Sequence, residues 1–507
     1  MEKKHYVTTA IPYVNGKPHI GNAIDYLLAD IWARYYRQGG AEVRLQAGTD
    51  EHGNKVAAKA ASEGLTPQEY ADKNCKNFEA LIQRMKVGYT DFVRTTDIKH
   101  QAAVQYVWQK LAPHIYKGNY EGWYCEGCEG FVTDKEAQKN EGKCIDHGTA
   151  YVRLKEENYY LKISDFKVQI QEAIATDRLK IVPEFRKKEF LALLPEMPDV
   201  SISRPKKTLS WGVPVPGDDT QVMYVWLDAL ANYITVLGYP NEPTWEAYWP
   251  ADVQVIGKDI LKFHAGIWPA MLLGLGLELP KTLLVHGHVN VAGTKMSKTV
   301  GNVVDPMECI DNYGLDAFRY YFSRHISTTE DGDFTWEKFE NAYNNELGND
   351  LGNLVQRVAG MVDRYLSGVT GVEGNPEPDH DVHAFREAMK NMDFSAAIDQ
   401  AWVLVHGANR FIEETKPWVI AKAAAGGDEN EKAHLEEVLQ HSVSTILQIA
   451  KMLEPFLPET VEKIQAIFGS GIVKMEEGGL FPKIYLHTSA SGKKTEGQAS
   501  SETATAN

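Results

Sequence analysis

The stretch Tyr6-Val7-Thr8-Thr9-Ala10-Ile11-Pro12-Tyr13-Val14-Asn15-Gly16-Lys17-Pro18-His19-Ile20-Gly21-Asn22 decides the fold. Tyr6–Val14 reads as a strand. From His19 to Arg37 apolar residues recur at Ile20, Ile24, Leu27, Leu28, Ile31 and Tyr35, close to a 3.6-residue period, so a helix follows. Gly39-Gly40 stops that helix, and Glu42–Ala47 returns to strand. This βαβ opening predicts a parallel sheet with ligands at the carboxyl ends of its strands. It also puts His19-Ile20-Gly21-Asn22 at a helix N-terminus, where unpaired N–H groups and the helix dipole favour phosphate.

Working outward, residues 116–205 break the α/β pattern with short Tyr- and Lys-rich stretches and a cysteine cluster. The pattern resumes at Val222 and continues through Val253–Ile256 and Thr282–Val289. Beyond it, Lys295-Met296-Ser297-Lys298-Thr299 lies between Gly293 and Gly301, flanks that suit a closing loop carrying two ammonium groups. From about Asn341 the apolar spacing is helical. Leu347, Leu351, Leu354, Val358, Met361 and Leu366 recur over Asn341–Leu366, and His383–Glu414 and Glu431–Leu453 behave alike. The expected layout is therefore a catalytic α/β domain in two halves (1–115 and 206–340), an insertion (116–205), a helical bundle (341–487) and a disordered polar tail (488–507).

Cys125-x2-Cys128 and Cys144-x2-His147, fifteen residues apart, form a tetrahedral Zn²⁺ pattern with no open coordination position. The expectation is one structural ion that orders an insertion too small for its own core. The other cysteines, Cys75 and Cys309, are isolated. That usage fits a reducing compartment rather than a disulfide framework. No apolar run approaches the ~20 residues needed to cross a bilayer. A cytoplasmic protein without a membrane role is expected. Net charge is −16, which disfavours non-specific nucleic-acid binding but leaves shaped recognition open. Arg186-Lys187-Lys188 and Arg204-Pro205-Lys206-Lys207 are local basic runs.

The pairing of His19-Ile20-Gly21-Asn22 with Lys295-Met296-Ser297-Lys298 resembles the two ATP-binding motifs of class I aminoacyl-tRNA synthetases. Ala10-Ile11-Pro12-Tyr13-Val14-Asn15-Gly16, Gly48-Thr49-Asp50-Glu51-His52-Gly53 and Tyr224-Val225-Trp226-Leu227-Asp228-Ala229 narrow the likeness to the methionyl members, over about Tyr6–Leu486. The resemblance implies a Rossmann-like catalytic domain with a zinc-binding insertion, followed by an anticodon-binding bundle. It implies activation of L-methionine with ATP, Mg²⁺ accompanying the phosphates, and loading of tRNA(Met).

By the same resemblance, His19 and Asn22 donate to phosphates, with Gly21 allowing close approach. Lys298 stabilises the leaving pyrophosphate, with Lys295 a second ammonium donor on its loop, Asp259 accepts from the ribose, and Arg204 contacts phosphate. Ile11, Tyr13, Trp226, Ala229, Tyr233, Ile260 and His264 line the methionine pocket, and Asp50 pairs with the ammonium. Aromatic walls suit a thioether, since each sulfur–ring contact contributes ~0.3–1.5 kcal/mol. Asn353, Arg357 and Trp418 read the anticodon through base edges and stacking. Cys125, Cys128, Cys144 and His147 match a single zinc knuckle.

Two departures stand out: Asn22 replaces the motif's usual second His, and Leu230 stands where many relatives have Pro. Asn donates a neutral hydrogen bond and cannot become cationic. A monomer is expected. The competing readings are another class I synthetase, a small adenylyltransferase, or a non-catalytic tRNA-binding relative.

Overall fold

The structure is a computed structural model that describes residues 4–125, 130–132, 134–145, 148–295, 304–372, 382–473 and 479–487. The chain divides into two compact units, Met1–His288 and Val289–Asn507.

The first unit is built on six strands in the order Asp91–Arg94, Glu42–Thr49, Lys4–Thr9, Val253–Gly257, Thr282–His286, Lys180–Val182, all parallel. Val7 pairs with Leu45 on one side and Val253 on the other. Residues 5–9 and 253–257 are wholly buried, as expected for strands covered on both faces. The chain leaves the central Lys4–Thr9 strand towards one edge and later returns to its other side. That makes a topological switch point at its carboxyl end, the place where open α/β sheets bind ligands.

The first helix runs Ile20–Gln38, and Ile20, Ile24, Leu27, Leu28 and Ile31 are buried as the period predicts. Tyr26, Asp30 and Trp32 are buried as well. Asp30 is tolerated because Arg34 donates to it at 2.6 Å and the Gly88 N–H at 2.8 Å. The strand expected at Tyr6–Val14 is shorter, ending at Thr9. Residues 10–14 leave the ladder, and Tyr13 rejoins it only through a bridge to Asp50.

The insertion centres on a long antiparallel pair, Ile115–Cys125 with Val152–Leu161. It is not a separate body: Lys180–Val182 forms the edge strand of the central sheet beside Thr282–His286. Three residues carry too little periodicity to announce themselves as a strand.

The second unit holds a small sheet (Thr294–Lys295, Val289–Val291, Gly332–Phe334) and then helices. The expected helix Asn341–Leu366 is a π-helical stretch (Ala342–Gly352) and a regular helix (Asn353–Leu366), and it continues a short α-helix, Trp336–Asn341. Val362, not Met361, is buried there. The helix expected at His383–Glu414 is two, His383–Lys390 and Phe394–Thr415, separated where Met392 takes a positive φ of 59°. The segment 373–381 and the tail 488–507 lie outside the described residues.

Candidate active site

His19 is the N-cap of the Ile20–Gln38 helix, in extended backbone at the switch point of the sheet. Asn22 closes a capping box, its Oδ1 accepting from the His19 N–H at 3.1 Å. This satisfies one donor at the helix mouth and fixes the amide's orientation. A Cβ on Gly21 would lie 2.9 Å from His19 Cε1, so glycine lets the imidazole fold along its own turn.

Two acid–imidazole pairs stand at the neighbouring strand ends. His286 Nε2 meets Asp25 Oδ1 at 3.0 Å while its Nδ1 meets the Gly287 carbonyl at 2.8 Å. Burial raises the Asp25 carboxyl. Burial opposes charge on His286, but Asp25, the Gly287 carbonyl and Asp259 together outweigh it and raise the imidazole. Asp259, just past Val253–Gly257, faces His288 Nε2 at 3.4 Å. Burial pushes its carboxyl up, and His288 overcomes that and lowers it, leaving an anionic acceptor.

The segment Gly48–Gly53 is fixed from several sides. The Asp50 N–H donates to Pro12 O at 2.9 Å, and Asp50 O accepts from the Val14 N–H at 3.0 Å. Glu51, fully buried, takes a bidentate Arg94 at 2.8 and 2.9 Å. Gly53 has φ +120°, and a Cβ there would overlap the Tyr13 hydroxyl. Trp211 Nε1 donates to Glu51 O at 2.7 Å, and the Gly53 N–H to Trp211 O at 3.0 Å. Asp50 itself is 8% exposed.

The Val225–Thr235 helix carries Trp226, Ala229 and Tyr233. Trp226 stacks on Phe263, centroids 3.6 Å apart and planes 9° from parallel. The chain from Ile260 to His264 is not one regular helix: a 3₁₀ turn gives way to a π-helical turn over Phe263–Ile267. His264 Nδ1 donates to Ile260 O at 3.0 Å, which leaves Nε2 to accept the Tyr233 hydroxyl at 2.7 Å. Burial pulls His264 down to about 4, so the ring is neutral at pH 7.

Trp226, Ile260 and Phe263 pack together against the main core that contains Tyr233. Tyr13 instead packs in a smaller cluster with Val14, Val56 and Trp211, and Ile11 lies over Gly48. Phe263 is absent from the sequence-derived set. Its signal was its place three residues after Ile260, a spacing that puts the two on one side of a helix.

Sequence reasoning also passed over Asp228. It is 1% exposed, with His52 Nδ1 at 2.6 Å from Oδ2 and His100 Nε2 at 2.9 Å from Oδ1. Burial alone raises a carboxyl, but the two imidazoles reverse this and bring Asp228 down to about 2.

Arg204 lies inside the fold. It is buried, donating to Ser201 Oγ at 2.6 Å and Ser203 O at 2.8 Å, over the Tyr224 ring and 3.8 Å from Glu156. Its guanidinium is committed to these internal partners, whereas Lys206 and Lys207 are exposed. Lys295 ends the Thr294–Lys295 strand; Lys298 lies outside the described residues.

Cys125 and Cys144 are buried in one small cluster with Ala137 and Tyr151, neither in a disulfide. Two soft donors, one from the Ile115–Cys125 strand and one from the loop before Val152–Leu161, in a core this small fit a zinc-ordered fold. Cys128 and His147 lie outside the described residues.

In the second unit, Asn353 is exposed at the start of its helix, and Arg357 pairs with Glu413 at 2.6 Å. Trp418, on the Pro417–Ala424 helix, is 40% exposed.

Residues 5–359 match the family described as tRNA synthetases class I (M). The methionine–tRNA ligase of Caldanaerobacter subterraneus subsp. tengcongensis is 41% identical over 92% of this chain and 74% of its own length. That of Bacillus subtilis is 39% identical over 90% of this chain and 72% of its own. The Mycobacterium tuberculosis methionyl-tRNA synthetase, solved with methionyl-adenylate, is 34% identical with a TM-score of 0.86, covering 92% of this chain and 94% of that one. The fold is therefore that of a class I aminoacyl-tRNA synthetase. Within that class the chain belongs to the methionine–tRNA ligase family.

Proposed function

We propose that this chain activates L-methionine with ATP, forming methionyl-adenylate and diphosphate, and then transfers the methionyl group to tRNA(Met). The observation that carries the substrate is the pairing of Trp226 and Tyr233, on a helix tied through Asp228 to the Asp50 loop, with Phe263 and a neutral His264 from the Phe263–Ile267 turn. An uncharged, polarisable wall accepts a thioether without a desolvation cost.

In the first step the methionine carboxylate attacks the α-phosphorus, and the bond to the bridging oxygen breaks as diphosphate leaves. Negative charge builds on phosphate oxygens, so positioned donors do the catalysis. His19 and the Asn22 amide serve at the helix mouth, with Gly21 keeping the turn open. Lys295 and Lys298 meet the leaving group, and Asp259 accepts from the ribose. Mg²⁺ arrives with ATP, held chiefly by the phosphates. Asp50 pairs with the ammonium, and Ile11, Tyr13, Ala229 and Ile260 complete the pocket. The exposed Lys206 and Lys207 suit a phosphate contact better than Arg204. In the second step a terminal ribose hydroxyl of the tRNA attacks the acyl carbonyl and AMP departs.

Zn²⁺ bound by Cys125, Cys128, Cys144 and His147 would order the insertion and supply no reacting group. Asn353, Arg357 and Trp418 read the anticodon. Arg357 does so in competition with Glu413, which favours a base edge offering acceptors over non-specific contact. The same reading makes the chain a monomer of the cytoplasm; no helix among the described residues is long and apolar enough to cross a membrane. Charging assays with a tRNA carrying the methionine anticodon, and with one whose anticodon is replaced, test the proposal. Equal charging of both contradicts the anticodon assignment, and charging of neither contradicts the function.

A further inference from the structure

The buried Asp228 carboxylate touches no residue assigned to substrate, yet both of its oxygens are engaged. Each oxygen meets a different imidazole, His52 at 2.6 Å and His100 at 2.9 Å. The three side chains are between 1% and 4% exposed. They come from three elements: the loop after the Glu42–Thr49 strand, the Ile98–Leu111 helix and the first turn of the Val225–Thr235 helix. His100 grips that last helix twice, since its Nδ1 also meets Thr235 Oγ1 at 2.7 Å, two turns beyond Asp228. His52 packs edge-on to Trp211, whose indole N–H holds Glu51 O.

We infer that Asp228 is a positioning residue: through His52 it fixes the loop carrying Asp50 against the helix carrying Trp226, Ala229 and Tyr233. It thereby sets the spacing between the ammonium site and the side-chain pocket. This rests on the methionine-activating reading above and on Asp50 as the ammonium partner.

The argument is geometric. His52 is two residues beyond Asp50, and Asp228 lies two residues beyond Trp226 and one before Ala229. A ligand gripped by its ammonium at one end and its side chain at the other binds only if those two anchors keep their separation. A shift of about 1 Å in such a site can cost ~10²-fold. Gln46 Nε2 to Asn232 Oδ1 at 2.8 Å is a second tie, from within the strand rather than from the loop, so the helix stays on the sheet when Asp228 is altered. Asn at 228 keeps the shape but supplies one acceptor oxygen in place of two. Its amide N–H then opposes one imidazole N–H, and the loop is released on that side.

The test compares Asp228→Asn with the unaltered chain in ATP–diphosphate exchange. It adds inhibition by 4-(methylthio)butanoate, which is methionine without its amino group. A positioning role predicts KM for methionine raised on the order of 10- to 100-fold, with KM for ATP and the inhibition constant of the des-amino analogue changed less than about twofold. The Asp50→Asn/Asp228→Asn double variant is then no worse than Asp50→Asn alone. Equal weakening of methionine and its des-amino analogue, or additive losses in the double variant, overturns the inference.

If Asp228→Asn does not fold, His52 carries the same test. Asn at 52 places an amide nitrogen where Nδ1 stood, so His52→Asn restores methionine KM relative to His52→Ala, and equal values for the two overturn the inference. An unaltered chain without methionine-dependent exchange overturns the activity reading, and this inference with it, before any variant is compared.

Discussion

Asn22 Oδ1 accepts the His19 backbone N–H at 3.1 Å, so the residue that departs from the usual motif also closes the helix cap. The amide has one acceptor and two donors. With the acceptor turned back to the backbone, the donors are what it offers at the helix mouth, and they are neutral at every working pH. Imidazole in that position is cationic below pH ~6.5. Asn22→His therefore adds a component to the pH–rate profile of adenylation that titrates near pH ~6.5. Superimposable profiles for the two proteins would contradict this.

Gly53→Ala strains the loop twice. Its φ of +120° is disfavoured for any Cβ, and that Cβ overlaps the Tyr13 hydroxyl. Strain of this type costs ~1–3 kcal/mol. Calorimetry should show a lowered Tm for unit-one unfolding together with a raised KM for methionine, because Tyr13 and Asp50 share the bridge that must yield. A variant as stable and as active as the parent would show that the loop relaxes freely.

His264 gives stability a pH dependence whose sign follows from its burial. Its folded pKa, about 4, lies below the ordinary 6.5, so the unfolded chain binds the proton more readily. Its contribution is complete above pH ~6.5 and is lost as pH falls towards ~4. Denaturant unfolding at pH ~7 and ~4.5 should show a loss of roughly 2–3 kcal/mol that is absent from His264→Gln, whose remaining pH dependence comes from the carboxylates and the other histidines. Parallel pH dependences for the two would mean that the ring is protonated in the folded protein.

The 40% exposure of Trp418 suits stacking on an unpaired base. Removing the ring forfeits ~1–3 kcal/mol per stacked base, so Trp418→Ala should lower aminoacylation about 10- to 100-fold and leave ATP–diphosphate exchange untouched. Equal loss in both assays would place Trp418 in the bundle's stability instead.

The elements legible in the sequence are those where one physical demand dominates. The Ile20–Gln38 helix and the parallel strands followed from apolar period and Gly punctuation. What escaped notice depends on long-range geometry. Lys180–Val182 is too short to carry a period and becomes a strand only because Thr282–His286 offers it an edge. The break at Met392 rests on a left-handed residue that is not glycine.

In the candidate site, hydrogen bonds join Tyr233, His264 and Ile260 and Trp226 stacks on Phe263, but the π-helical turn over Phe263–Ile267 has no signature in residue spacing. The Asp228 pairings join residues 176 and 128 positions away. Arg204 shows the converse: a basic run reads as surface, yet local Ser partners and Tyr224 turn this member inward.

The most direct test of the central claim is amino-acid-dependent ATP–diphosphate exchange, run without tRNA across the twenty standard amino acids. The account predicts exchange with methionine and background rates with the other nineteen, leucine included. Exchange driven by a different amino acid would contradict the pocket of Trp226, Phe263, Tyr233 and His264, and no exchange from folded protein would contradict the assignment of activity itself.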